Sequence, residues 1–374
     1  MAQAYINYKM LTWARERASL SIAYLAEKMK KSINTIQEWE DGVTPLTFSE
    51  AQRYAEITHI PFGLLYLDDP IEENLTIPDR RTIGSREIIV SLELRDTIDD
   101  VMIKLDWYKE FTIENGYDPV DLVAKFSVSD NYLDLVNEIR QRLSVLIPPT
   151  RGKWTDLLSL LIKEIESNGI LVMKNGVVKN NTHRPISVND FRGFCIADKY
   201  APIIFINNND AKSAQLFTLI HELAHLMIGE SAITDISHLT TSKEEKLCNA
   251  VAAEYLVPEH IFIENWVNYD EWSENIPYLV DLFRVSRWVV ARRALTLNLI
   301  DSKEYESYVA KINDKSTSSG GSYARSQKGR VSETFARAVV TQALEGKMLL
   351  REAQQLTGIR TNKLYEFAQK ELGL

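Results

Sequence analysis

Two histidines four residues apart in an otherwise apolar run, "FTLIHELAHLMIG" from Phe217 to Gly229, constrain this chain more than any other feature. Residues i and i+4 lie one turn apart on one helix face, so His221 and His225 present two imidazole nitrogens to a single point. One tetrahedral cation can accept both. Glu222, next to His221, is placed to take a proton from a water activated by that cation and later to pass it to a leaving amine. The H-E-x-x-H spacing therefore fits hydrolytic Zn2+ chemistry. The competing reading is an ordinary core helix whose two imidazoles are satisfied by backbone. The flanks predict a helix in either case: Phe217, Ile220, Ala224 and Met227 recur at helical spacing, Asn209 or Asp210 can cap the start, and Gly229 sits where a C-terminal cap belongs.

A structural zinc site needs four protein ligands, whereas a hydrolytic one needs three and an open position. The third is expected from "SKEEKLCNAVAAEYLVP", a helix that begins 17 residues after His225. Glu245 and Asn249 are one turn apart there, so Glu245 could complete the site while Asn249 hydrogen-bonds a ligand. Ser242-x-x-Glu245 equally fits a capping box, in which Glu245 turns back onto its own helix start. Thr241-x-x-Glu244 offers the same cap one residue earlier and would leave Glu245 free. Spacing alone leaves Glu244, Glu254 and His238 as rivals of Glu245.

The bulk properties narrow the setting. A chain of 374 residues exceeds one typical core, so two or three domains are expected. No apolar run approaches the roughly 18 residues of a membrane span, and the first twenty residues lack a signal-peptide core, which predicts a cytoplasmic protein with no membrane partner. Cys195 and Cys248 form no C-x-x-C pair and are expected as reduced core residues. The net charge of −9 is unevenly spread. Residues 1–70 hold seven Lys/Arg against nine Asp/Glu, a balance of −2, and residues 316–374 hold nine against five, a balance of +4.

The pattern divides the chain into residues 1–70, short helices with turns; 71–145, a helical connector around "SLELRDTIDDVMIKLDWYKEF"; 146–312, a mixed domain; and 313–374, a linker with a basic helical region. In the mixed domain, "GILVMK", "GFCIA" and "PIIFIN" read as strands ahead of the two-histidine helix. The run "KSTSSGGSYARSQKGR", Lys315 to Arg330, reads as the linker. The expected fold is multidomain and mainly α, with a small α+β zincin-like peptidase domain around the two-histidine helix and an all-α region at the start.

Four separated motifs in order, "GF", a strand ending in "IN", "FTL-HE-x-x-H", and a later segment carrying Glu245, Cys248, Asn249, Ala252, Ala253, Leu256 and Pro258, resemble the ImmA/IrrE family of metallo-endopeptidases over residues 150–262. Cysteine stands at Cys248 for the usual alanine and valine at Val251 for the usual phenylalanine. The resemblance implies Glu245 as third zinc ligand beside His221 and His225, with Glu222 as general base. It does not name the group that stabilises the tetrahedral intermediate, for which His183, His238 and Tyr255 are candidates. "PIIFIN" could pair with an extended substrate if it is an edge strand, and could not if it is interior.

In the first region, "SLSIAYLAEKMKKSINTIQEWEDG" places Leu25, Ala26, Ile33, Ile36 and Trp39 on inward faces, with Ser21 and Ser32 as N-caps. It resembles the Xre/Cro-type helix-turn-helix, whose second helix ends in W-E-x-G, here Trp39 to Gly42. Asn34, Gln37 and Glu38 face outward, and with Ser32 and Lys31 they form the expected contact set for double-stranded DNA. An acidic balance works against phosphate binding, so a protein-interaction module is the alternative. In the tail, "LLREAQQLTGIRTNKLYEF" reads either as a second helix-turn-helix, with Gly358 at its turn and Leu364 and Phe367 packing inward, or as a solvated helical bundle.

Together these features predict a cytoplasmic regulator with zinc-dependent endopeptidase activity on a regulatory protein. The resemblance implies a helix-turn-helix repressor, encoded nearby, as the substrate class. A homodimer is compatible with the sequence. The alternative is a non-catalytic DNA-binding regulator or antitoxin-like binder that uses the peptidase fold as a sensor.

Overall fold

The two cores follow from where the chain caps its helices. The computed structural model describes residues 3–71, 91–150, 152–234, 242–313 and 330–373. It forms two units: the first comprises Met1–Thr76 and Ile89–Asp96, the second Ile77–Ile88 and Thr97–Leu374.

In the first unit α1 (Tyr8–Arg17), α2 (Ile22–Met29), α3 (Ile33–Glu40) and α4 (Phe48–Ile57) each begin at a polar N-cap. Ser21 and Ser32 accept from Tyr24 N and Thr35 N, as their positions predict, and Thr47 with Glu50 closes a full capping box. Leu25, Ile36, Trp39, Tyr54 and Leu65 fill the core. Ile33 does not join them. It is 51% exposed, because the first residue of α3 has no neighbouring helix over it, and the inward position expected for it is corrected. The glutamate of W-E-x-G is structural. Buried Glu40 accepts from Arg15 Nε at 2.8 Å and Nη2 at 2.9 Å, and from the Tyr54 hydroxyl at 2.7 Å.

The second unit contains α5 (Leu92–Glu114) beyond its first turn, then α6 (Tyr132–Arg142) and α7 (Trp154–Ser167). Next come β1 (Leu171–Asn175), β2 (Gly193–Ile196), β3 (Ile203–Asn207), α8 (Lys212–Met227), β4 (Ala232–Thr234) and α9 (Lys243–Leu256). The strand order is β1-β3-β2-β4; β3 runs parallel to β1 and antiparallel to β2, which is antiparallel to β4. "PIIFIN" is thus interior, with all five residues of β3 buried, and it cannot accept a substrate strand. At its end Asn207 donates to the carbonyls of Ser187 and Phe191, which fixes the loop before β2.

The sheet packs on α8, and α8 packs on α9, so the two-histidine helix lies inside the core with Leu216, Leu219, Ile220 and Leu223. Leu135, Val136 and Ile139 of α6 belong to that same core, as do residues of α11 (Asn275–Phe283) and α12 (Arg287–Thr296). Between α9 and α11 lies α10 (Glu259–Glu264), and α13 (Ser302–Asn313) follows α12. Helices Glu333–Leu344 and Leu350–Thr357 complete the unit, with a turn at Gly358 and buried Leu364 beyond it; Phe367 is half-buried. They are tied to the core through buried Glu166, whose Oε2 accepts from Thr334 N at 3.3 Å and Thr334 Oγ1 at 3.2 Å, while Phe335 packs on Trp107. The peptide N–H of Lys174 donates to Arg330 O at 3.4 Å along the outer edge of β1. The expected linker, apart from Arg330, lies outside the described residues.

No described helix is long and apolar enough to cross a membrane. Both cysteines are buried free thiols, as expected.

Candidate metal centre

Helix α8 starts differently from expectation. Its N-cap is Ala211, with no side-chain cap; the Asp210 carboxylate accepts from the adjacent Ala211 N and faces Arg192, and Asn209 donates to Gly176 O and Ile186 O, away from the helix. The end is as predicted: Gly229 takes φ +74°, and Glu230 N reaches His225 O at 2.9 Å.

One turn apart on α8, His221 Nε2 and His225 Nε2 stand 3.1 Å from each other. Glu245, in the first turn of α9, places Oε2 at 3.2 Å from His221 Nε2 and Oε1 at 3.2 Å from His225 Nε2. All three side chains are buried, and their donor atoms lie within 4.8 Å of one another. Ser242 does cap α9 by accepting from Glu245 N at 3.2 Å, but the Glu245 carboxylate faces the imidazoles, so the cap and the cluster use different atoms of one residue.

The rival carboxylates go elsewhere. Glu254 is buried against Arg293, with Arg140 3.8 Å away. Glu244 is half-buried and outside the cluster. His238 and Thr241 lie outside the described residues. Of the proposed oxyanion donors, His183 is exposed in the loop after β1, and the Tyr255 hydroxyl is buried beside Arg140 and Glu164, so neither stands with the histidines.

Electrostatics reinforce the clustering. Burial pushes the Glu245 carboxyl up, but the two imidazoles overcome this and hold it well below the usual carboxylate range. Burial opposes a charged His221, and Glu245, Glu222 and the adjacent Asn249 together raise its pKa nonetheless. Asn249 thus stands beside His221, where the one-turn spacing from Glu245 puts it. Two buried imidazole nitrogens and a buried carboxylate crowded together are lone-pair donors facing one point, an arrangement that a proton or a cation between them relieves. The N2O set matches the donor chemistry of a borderline divalent ion such as zinc, and the residues fit one.

Glu222 is fully buried next to this cluster. Strand β2 explains how it fits. A Cβ at Gly193 would stand 2.5 Å from Thr218 Cγ2, 2.8 Å from Phe205 O and 3.3 Å from Glu222 Oε1, so only glycine lets the strand pass this close over α8. Cys195, two residues on, has its thiol pushed up by burial and by Glu222. Neither neighbour stands out in sequence as a site residue; the "GF" pair was the available signal.

In the first unit, Asn34, Gln37, Glu38 and Ser32 are exposed along α3. Ser32 is occupied as the cap of that helix, and Lys31 pairs with Glu50 at 2.6 Å while lying over the Trp39 ring.

Comparison with known families agrees with this architecture. Residues 165–295 match the IrrE N-terminal-like domain (Peptidase_M78), residues 11–65 match a helix-turn-helix family, and residues 331–370 match a domain of unknown function (DUF8813). No curated protein matches the chain. The chain therefore joins an Xre-type helix-turn-helix domain to a metallopeptidase-like domain of the ImmA/IrrE kind.

Proposed function

We propose that this protein is a zinc-dependent endopeptidase that acts as a regulator by cutting a repressor-type protein. The convergence of His221, His225 and Glu245 beside Glu222 carries the reading. His221, His225 and Glu245 would hold a zinc ion, which when bound would supply Lewis acidity toward water and a peptide carbonyl. The protein groups do the rest. Glu222 takes a proton on its carboxylate as water attacks and delivers it to the departing amine nitrogen. Asn249 holds the His221 ring in orientation. The closely packed wall of Gly193, Thr218 and Phe205 keeps the Glu222 carboxylate in place. An extended substrate adds to β4, the outermost strand among the described residues on the α8 side of the sheet.

Glu222→Gln keeps the side-chain shape and removes the base. It is expected to leave fold and metal content intact while cleavage of a co-purified or genetically adjacent repressor falls by about 10²–10⁴-fold. Unchanged cleavage would end the assignment.

For the helix-turn-helix we propose recruitment to double-stranded DNA, with Asn34 and Gln37 reading bases. A second reading, a protein-binding module, has its own support: of the seven basic residues in 1–70, Arg15, Arg17, Lys31 and Arg53 are already paired with carboxylates. Few remain for phosphates.

A further inference from the structure

Residues 259–278 form a surface that the metal centre does not use. From Leu247 to Phe283 the sequence has no lysine or arginine. The carboxylates of Glu259, Glu264, Asp270, Glu271 and Glu274 are exposed and make no ion pair among the described residues. Between them stand Ile263, Val267, Tyr269 and Tyr278, each about half exposed, with values from 46% to 56%. These apolar groups are connected. The Tyr278 hydroxyl donates to Asn265 Oδ1 at 3.0 Å, and the next residue, Trp266, stacks on Trp272 with ring centres 6.5 Å apart.

The ledge is held from beneath. Buried Asn275 accepts from Val267 N at 2.9 Å and donates to Val267 O at 2.8 Å and Trp272 O at 3.1 Å, which fixes the loop between α10 and α11. A ligand docking there would have little ordering cost to meet. The surface begins beyond the last turn of α9, whereas Glu245 lies in its first turn, so it is separated from the metal cluster by roughly 16 Å of helix.

Aromatic groups at the centre and one sign of charge at the rim are the anatomy of a protein interface. The charge selects the partner. Carboxylates repel nucleic-acid phosphates and anionic bilayers alike, and they attract lysine and arginine. We infer that the α10–α11 face docks a basic amphipathic helix of a protein partner, its apolar side chains on Tyr269, Val267 and Tyr278 and its lysines or arginines on the acidic rim. This goes beyond the proposed peptidase activity, since it requires neither metal nor cleavage.

The test uses the full chain and two synthetic helical peptides that share one leucine face, one flanked by lysines and the other by glutamates, titrated calorimetrically at low and high salt. The lysine peptide is expected to bind at least roughly tenfold tighter than the glutamate peptide and to weaken with salt. Asp270→Lys with Glu271→Lys should cost about tenfold or more in its affinity, as should Tyr269→Ser with Tyr278→Ser, all at exposed positions whose folding circular dichroism verifies. Glu110→Lys with Glu114→Lys makes the same change in net charge on α5 and should leave affinity within about twofold. Equal binding of the two peptides, or equal losses in the α5 control, would overturn the inference. So would a dimer in sedimentation that disappears in Tyr269→Ser with Tyr278→Ser, since the face would then join two copies of this chain.

Discussion

Replacing Gly193 by alanine tests the close approach that positions Glu222. The added methyl would meet the Phe205 carbonyl at 2.8 Å, a backbone atom that cannot move without shifting β3, and Thr218 Cγ2 at 2.5 Å on a buried helix face. Overpacking a core by one methyl costs about 1–3 kcal/mol. Alanine also loses less chain entropy than glycine, which returns about 0.4–1 kcal/mol. The net expectation is a loss of about 1–2 kcal/mol, or roughly 2–6 °C in the melting transition of the second unit. Scanning calorimetry of the full chain reads this directly. Adding Thr218→Ala removes the nearer of the two contacts and should restore part of the loss, so the pair is non-additive. A midpoint for Gly193→Ala at or above that of the native protein, the sign that chain entropy alone would give, would refute the packing argument.

Glu50 offers a pH-dependent case. Burial works against its charge, but Lys31 and Thr47 bring its pKa down to about 2, so its contribution to folding is complete above the ordinary glutamate pKa and is lost as pH falls toward 2. The gap in thermal midpoint between the native protein and Glu50→Gln, followed by circular dichroism, should be present at neutral pH and shrink to nothing as the acid limit is approached. For the recruitment reading, Asn34→Ala with Gln37→Ala should weaken sequence-specific DNA binding by about 1–3 kcal/mol per lost base contact. Affinity measured across salt must fall as salt rises; absence of binding even at low salt would favour the protein-binding module.

The parts of this molecule that were readable in sequence are those fixed by local geometry. His221 and His225 are a turn apart in any helix, and Ser21 and Ser32 cap whichever helices follow them. The third cluster member was harder, because Glu245 reaches the histidines across a helix–helix packing, and Glu244 and Glu254 are equivalent to it by spacing. What separates them is tertiary: Glu254 is taken by Arg293, 39 residues away in the chain. The same reason hid the interior place of β3, since strand order is a long-range property, and the remoteness of Tyr255, which α9 turns toward α6 and α7. Ile33 had the right hydrophobicity and the wrong position, at a helix start where nothing covers it. Strand β4, with three residues, is too short to leave a periodic signal.

The central claim is that three side chains from two helices hold one divalent ion. Metal content per chain after purification, measured by plasma mass spectrometry on the native protein and on His225→Ala, Glu245→Ala and Glu254→Ala, tests it most directly. The account predicts stoichiometric zinc in the native protein and in Glu254→Ala, none in His225→Ala and a strong loss in Glu245→Ala. Full zinc in a folded Glu245→Ala protein, or none in the native chain after refolding with zinc, would contradict it.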